Sequence, residues 1–140
     1  MILHCNYEEL RALRHGARVV LGDVVAGVGG VAAPPDTRAR VEAMVPRLDG
    51  VVRLTNLQEQ RDLRGAVSTI VERLRADMEA MVLTAHPADE SAVSAYFDFA
   101  HTLSVLRRLE ALGEEMEALI EVVTGRPVDQ RSVTTFRFPD

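Results

Sequence analysis

The chain has 140 residues, 47% of them apolar and 26% charged, with a net charge of −5 and one cysteine, Cys5. That length and balance suit a single folded domain with a real core rather than a disordered chain, and no apolar run reaches the roughly 18 residues that cross a bilayer. One cysteine permits neither an internal disulfide nor a cysteine-built structural zinc site, and the complete absence of lysine excludes Schiff-base lysines and a P-loop.

The first residues carry no basic stretch ahead of an apolar one, so no signal peptide is expected and the cytoplasm is the default location. All basic residues being arginine points to a GC-rich, bacterial genome. Asn6 is a good N-cap with Glu9 in capping-box position, and Leu10, Leu13, Ala17, Val20, Leu21, Val24 and Val28 follow at helical spacing. Residues 18–26 also fit a β-hairpin around Gly22-Asp23; continuity of the helical face favours a helix that ends at Gly29-Gly30. After a loop through Pro35, Asp36 or Thr37 caps a shorter helix through about Leu48, which Pro46 ends or kinks near Ala43.

Thr55 or Asn56 caps a third helix, from Asn56 to about Ala85, with Leu57, Leu63, Val67, Ile70, Leu74 and Met78 on its face. From Leu63 on through Met81 and Ala85 the gaps are 4, 3, 4, 4, 3 and 4, close to a coiled-coil seam. His86-Pro87-Ala88 breaks it. Asp89 opens a fourth helix that runs to about Thr124, with Val93, Phe97, Ala100, Leu103, Leu106, Leu109, Met116, Ile120 and Val123 on its face, and Gly125 and Pro127 close it. The two helices would span roughly 45 Å and 54 Å. Gly65 and Gly113 interrupt them at similar heights, which a shared bend, a close helix contact or chance would each explain. The tail, from Ser132 to Phe138, is β-branched and aromatic; it reads as an extended segment that pairs with Met1 to His4 or with another chain, or seats Phe136 and Phe138 in a groove.

Glu110, Glu114, Glu117 and Glu121 recur on one face of the fourth helix. Carboxylates in a bundle can hold two metal ions, but such sites take Glu-x-x-His from two helices, and no Glu-x-x-His occurs. The stripe reads instead as a solvated or partner-facing surface, with Arg61, Arg64, Arg73 and Arg75 as possible ion-pair partners within the chain or across a dimer. His101, near the apolar face, reads as a boundary histidine. Gly27 to Gly30 lacks G-x-G-x-x-G spacing, and no G-x-S-x-G nucleophile motif is present.

The expected fold is all-α: N-terminal helices over 1–50, a long antiparallel hairpin over 56–124 and an extended tail over 126–140, in one domain. The expected function is non-enzymatic: a homodimer or protein-partner module that docks through helix faces, with no cofactor, metal, nucleic acid or membrane. Short first helices cannot cover so long a hairpin, so its seam (Leu63, Val67, Ile70, Leu74, Leu103, Leu106 and Leu109) is shared between core and partner in a proportion that spacing does not decide. Glu110, Glu114, Glu117, Glu121, Phe136 and Phe138 complete the candidate interaction face. The alternative is a metal-dependent or small-molecule-binding bundle built on Glu110, Glu114 and Glu117 with Asp98 and His101.

Overall fold

A computed structural model describes residues 1–23, 30, 33–84 and 90–139, and of residues 81–84 and 90–96 the backbone alone. The fold is all-α. In chain order it has β1 (Ile2–Leu3), α1 (Tyr7–Val20), α2 (Pro35–Met44) with a 3-10 turn at Val45–Arg47, β2 (Val52–Arg53), α3 (Leu57–Thr84), α4 (Glu90–Thr124) and α5 (Gln130–Thr135).

The capping box opens α1: Glu9 donates its N–H to Asn6 Oδ1 at 2.8 Å, and Asn6 donates its own to Glu9 Oε1 at 3.2 Å. The helix then stops at Val20, well before Gly29. Gly22 takes φ +100°, a left-handed conformation that ends a helix, and the Asp23 N–H turns back to the Arg18 carbonyl at 3.0 Å. Residues 18–20 are helical, so the hairpin reading fails there; residues 24–29 lie outside the described residues, as do the His86-Pro87-Ala88 break and Asp89. The second helix starts one residue earlier than Asp36. Pro34 sits at its N-cap position without a side-chain cap, and Pro35 supplies the preset φ of a first helical residue. Pro46 falls in the 3-10 turn after the helix rather than inside it.

The segment before α3 joins both ends of the chain. Ile2 and Leu3 pair antiparallel with Arg53 and Val52. The Met1 ammonium donates to the Leu54 carbonyl, and the Leu54 N–H to the Met1 carbonyl, both at 2.8 Å. Phe138 donates its N–H to the Thr55 carbonyl at 2.9 Å. The start of the chain thus pairs with residues 52–54 and not with the tail. The tail itself is not simply extended. Asp129 accepts from the Ser132 N–H at 2.7 Å and caps α5, whose Val133 is buried. A strong local cap outweighs the strand propensity of Val133, Thr134 and Thr135.

α3 has 28 residues and α4 has 35, or about 42 Å and 52 Å of helix. α1, with 14 residues, covers only part of that length. One continuous core joins α1, α2 and α5 to the hairpin, with Leu13, Val41, Leu57, Leu63, Val67, Val105, Leu109, Met116 and Ile120 fully enclosed. Among the described residues, no position of α3 after Val71 and none of α4 before Thr102 is buried.

Two glycines set how closely the helices approach. A Cβ on Gly16 of α1 would lie 3.2 Å from the Ala66 backbone on α3, so these two helices cross nearly backbone to backbone. A Cβ on Gly113 of α4 would lie 2.5 Å from Gln60 Nε2. Gln60, 2% exposed, uses that space to donate to the Leu109 carbonyl at 2.8 Å. Gly65 meets nothing within 4 Å, so the two hairpin glycines share no contact. Opposite outcomes are therefore expected on urea unfolding. Gly113→Ala loses about 1–3 kcal/mol by displacing a buried amide from its acceptor. Gly65→Ala gains up to about 1 kcal/mol by removing a helix-interior glycine.

Candidate functional site

The seam residues divide clearly. Leu63, Val67 and Leu109 have no exposed surface, Ile70 has 5% and Leu106 has 8%, so these five are buried within the chain itself. Leu74 and Leu103 are half-buried. Phe138 is buried and Phe136 half-buried, their rings edge-to-face at a centroid distance of 5.0 Å, so the tail docks on its own chain.

On α4 the inner face is Val105, Leu106, Leu109, Leu112, Met116 and Ile120. Phe97 and Val123, placed inward by spacing, point outward at 56% and 62% exposure. The reason is geometric. Phe97, Ala100, Leu103, Leu106 and Leu109 are spaced by three, and each such step falls short of a full turn by about 60°. A run of these steps winds away from the core instead of tracking it. Leu119 and Val122 are exposed as well, Val122 at 79%. On the same outward side, a groove of about 520 Å³ is lined among the described residues by Phe99, Ala100, Leu103, Ser104, Arg107, Arg108 and Ala111. Outward leucine and valine, out of phase with the inner set, were a readable signal for this surface.

The glutamate stripe lies along the flank of α4 that faces α3. Glu110, Glu114 and Glu121 are exposed, and the half-buried Glu117 meets Arg61 at 3.5 Å. Glu110, Glu114 and Glu117 line a polar notch of about 300 Å³ with Gln60, Arg64 and Gly113. Arg73 and Arg75 pair within α3, with Asp77 and Glu72. Among the described residues no three of His, Cys, Asp and Glu gather closely enough to hold a metal ion. Asp98 is exposed and His101 half-buried, both on α4 with nothing to bring them to the glutamates.

Three carboxylates, Glu9 of the capping box among them, make tertiary staples that spacing did not reveal. Glu9, 1% exposed, accepts from Ser104 Oγ at 3.3 Å and pairs with Arg108 Nε at 3.3 Å, while Arg108 Nη1 donates to the His4 carbonyl at 2.6 Å. Asp62 takes a two-pronged bond from Arg40 at 2.7 and 3.1 Å and a third from Gln58 at 3.0 Å. Glu59 pairs with Arg47 at 2.6 Å and accepts the Thr55 N–H at 2.8 Å. Each ties its own helix to another segment of the fold.

Titration follows these surroundings. Burial raises the Glu59 pKa, but the Arg47 and Thr55 hydrogen bonds outweigh it and hold the carboxyl below its ordinary value. Burial lowers the His15 pKa, as do Arg11 and Arg18, against Asp98. Burial, then the Glu9 carboxylate, pushes the Cys5 thiol up to about 11, against Arg108.

Because the Glu59 pKa is lower folded than unfolded, its stabilisation is present above the unfolded carboxylate range and fades as pH falls through the folded value. Glu59→Gln should therefore cost about 1–2 kcal/mol at neutral pH, and the gap to the parent should close in acid, as read by urea unfolding across pH. Cys5 should react with iodoacetamide at pH 8 about 100-fold more slowly than an unperturbed thiol, since two units of pKa reduce the thiolate fraction by that factor. Equal rates would show that the thiol is not shielded.

Comparison of the chain with protein-family models, with curated proteins and with solved structures finds no match.

Proposed function

We propose that this chain acts as one helical domain in the cytoplasm, a non-enzymatic protein–protein association module that works as a homodimer through the outward face of its long hairpin. One observation carries the reading. α4 buries a full inner face and still presents Leu119, Val122 and Val123 to solvent at 38%, 79% and 62% near its end, and it carries an apolar groove over Phe99 and Leu103 nearer its start. Scattered exposed apolar residues are ordinary on a protein surface; several gathered on one helix whose inner face is already buried support a docking surface. The candidate interaction surface thus lies outside Leu63, Val67, Ile70, Leu106 and Leu109, which the core already occupies.

The supporting chemistry is also that of a scaffold. The buried carboxylates each have an arginine partner and tie helices together, and the thiol is held protonated near neutral pH. Sedimentation equilibrium over a concentration series should show a reversible dimer. Val122→Asp should shift it to monomer with unchanged helical circular dichroism, because an outward side chain contributes little to the fold. A parent chain that stays monomeric at millimolar concentration would overturn the reading, as would stoichiometric metal in the purified protein.

A further inference from the structure

We infer that two copies pair antiparallel along α4, about a two-fold axis that passes beside Ala111; this rests on the association reading above and names its partner, a second copy of this chain. The observation behind it is the self-complementarity of the outward face. In a two-fold antiparallel pair of helices, a residue n positions before the axis faces the partner's residue n positions after it. With Ala111 on the axis, Arg107 faces the partner's Glu115, four residues to either side. Ser104 comes level with Ala118 and Ala100 with Val122, each close to the line through Ala111.

Each of these pairs matches in chemistry. Arg107 and Glu115 are both exposed, and neither has an ion pair among the described residues, unlike Arg108, which Glu9 already holds. The two-fold makes two such pairs, one on each side of the axis. The exposed Val122 of one copy comes to the half-buried Ala100 that lines the groove of the other. Ala111 and Ala118 are exposed and small, so nothing bulky holds the helices apart at the centre. All these residues fall within about 80° to either side of one line along α4, and from 100 to 122 the face is roughly 33 Å long. A shift of the axis by two residues would set Arg107 against Leu119 or Ala111 and lose the charge match.

In a Cys5→Ser background, Ala111→Cys places the two new thiols beside the axis. Mild oxidation should convert most of the protein to a covalent dimer, whereas Glu42→Cys, exposed on α2, should give little. Arg107→Glu and Glu115→Arg should each weaken the dimer at least tenfold by sedimentation equilibrium, and the double variant should restore it. A parent dimer that persists while Ala111→Cys fails to cross-link, or charge reversals that leave the dimer constant unchanged, would overturn the α4 pairing and leave the association reading standing. A parent chain that never dimerises would overturn both.

Discussion

The structure depends on how closely α3 is approached from two sides. Gly16 lets α1 cross at the Ala66 backbone, and Gly113 lets the Gln60 amide lie against α4. A side chain at Gly16 would push α1 away from α3 and open space in a core built from Leu13, Leu63, Val67 and Leu109, while one at Gly113 would displace the Gln60 amide. Interiors pack at crystal-like density, so a displacement at one crossing is felt by every side chain that interdigitates there. Gln60 adds direction to that closeness. Its amide has one acceptor, the Leu109 carbonyl, which sets the height of α3 against α4 more sharply than apolar contact does.

The buried carboxylates fix the remaining elements around this pair. Glu9 serves twice, closing the capping box of α1 and meeting Ser104 and Arg108 on α4. Asp62 anchors α2 through Arg40, and Glu59 anchors the 3-10 turn through Arg47 while capping its own helix. Such pairs gain little net stability over an apolar equivalent, because desolvation offsets the attraction. Their effect is positional: each leaves a charge unpaired if its element moves. The strand pair at the chain start and the Phe138 bond to Thr55 work alongside them, drawing both ends of the chain onto the residues that lead into α3.

This arrangement leaves α4 with two unequal faces. The inner one is consumed by α1, α3 and β1. The outer one carries exposed apolar residues toward its end, together with arginines at 107 and 108 before Ala111 and glutamates at 114 and 115 after it. A helix spaced for one core alone would place glutamate and arginine at these outward positions. The distal part of the hairpin, beyond Val71 on α3 and before Thr102 on α4, has no buried position among the described residues, so the hairpin extends past the core that α1 and α2 complete.

The all-α class, the two long helices, the capping box at Asn6 and the glycine end at Gly125 were all legible in the chain, because each is a local event: a cap, a periodicity, a stop signal. Errors arose where a local signal was weak or competed with another. The spacing by three over Phe97 to Leu109 looked like one face and winds around the helix; the strand-like tail yielded to the Asp129 cap; Gly22 stopped α1 before the glycine pair that was expected to. Tertiary structure alone decided which seam leucines belong to the core, that Gly113 and not Gly65 is a contact glycine, and that Glu9, Glu59 and Asp62 are staples. Those outcomes depend on atoms brought together from positions as far apart as residues 9 and 108. Spacing within one helix records which residues share a face; only the packing of the other helices decides whether that face is covered.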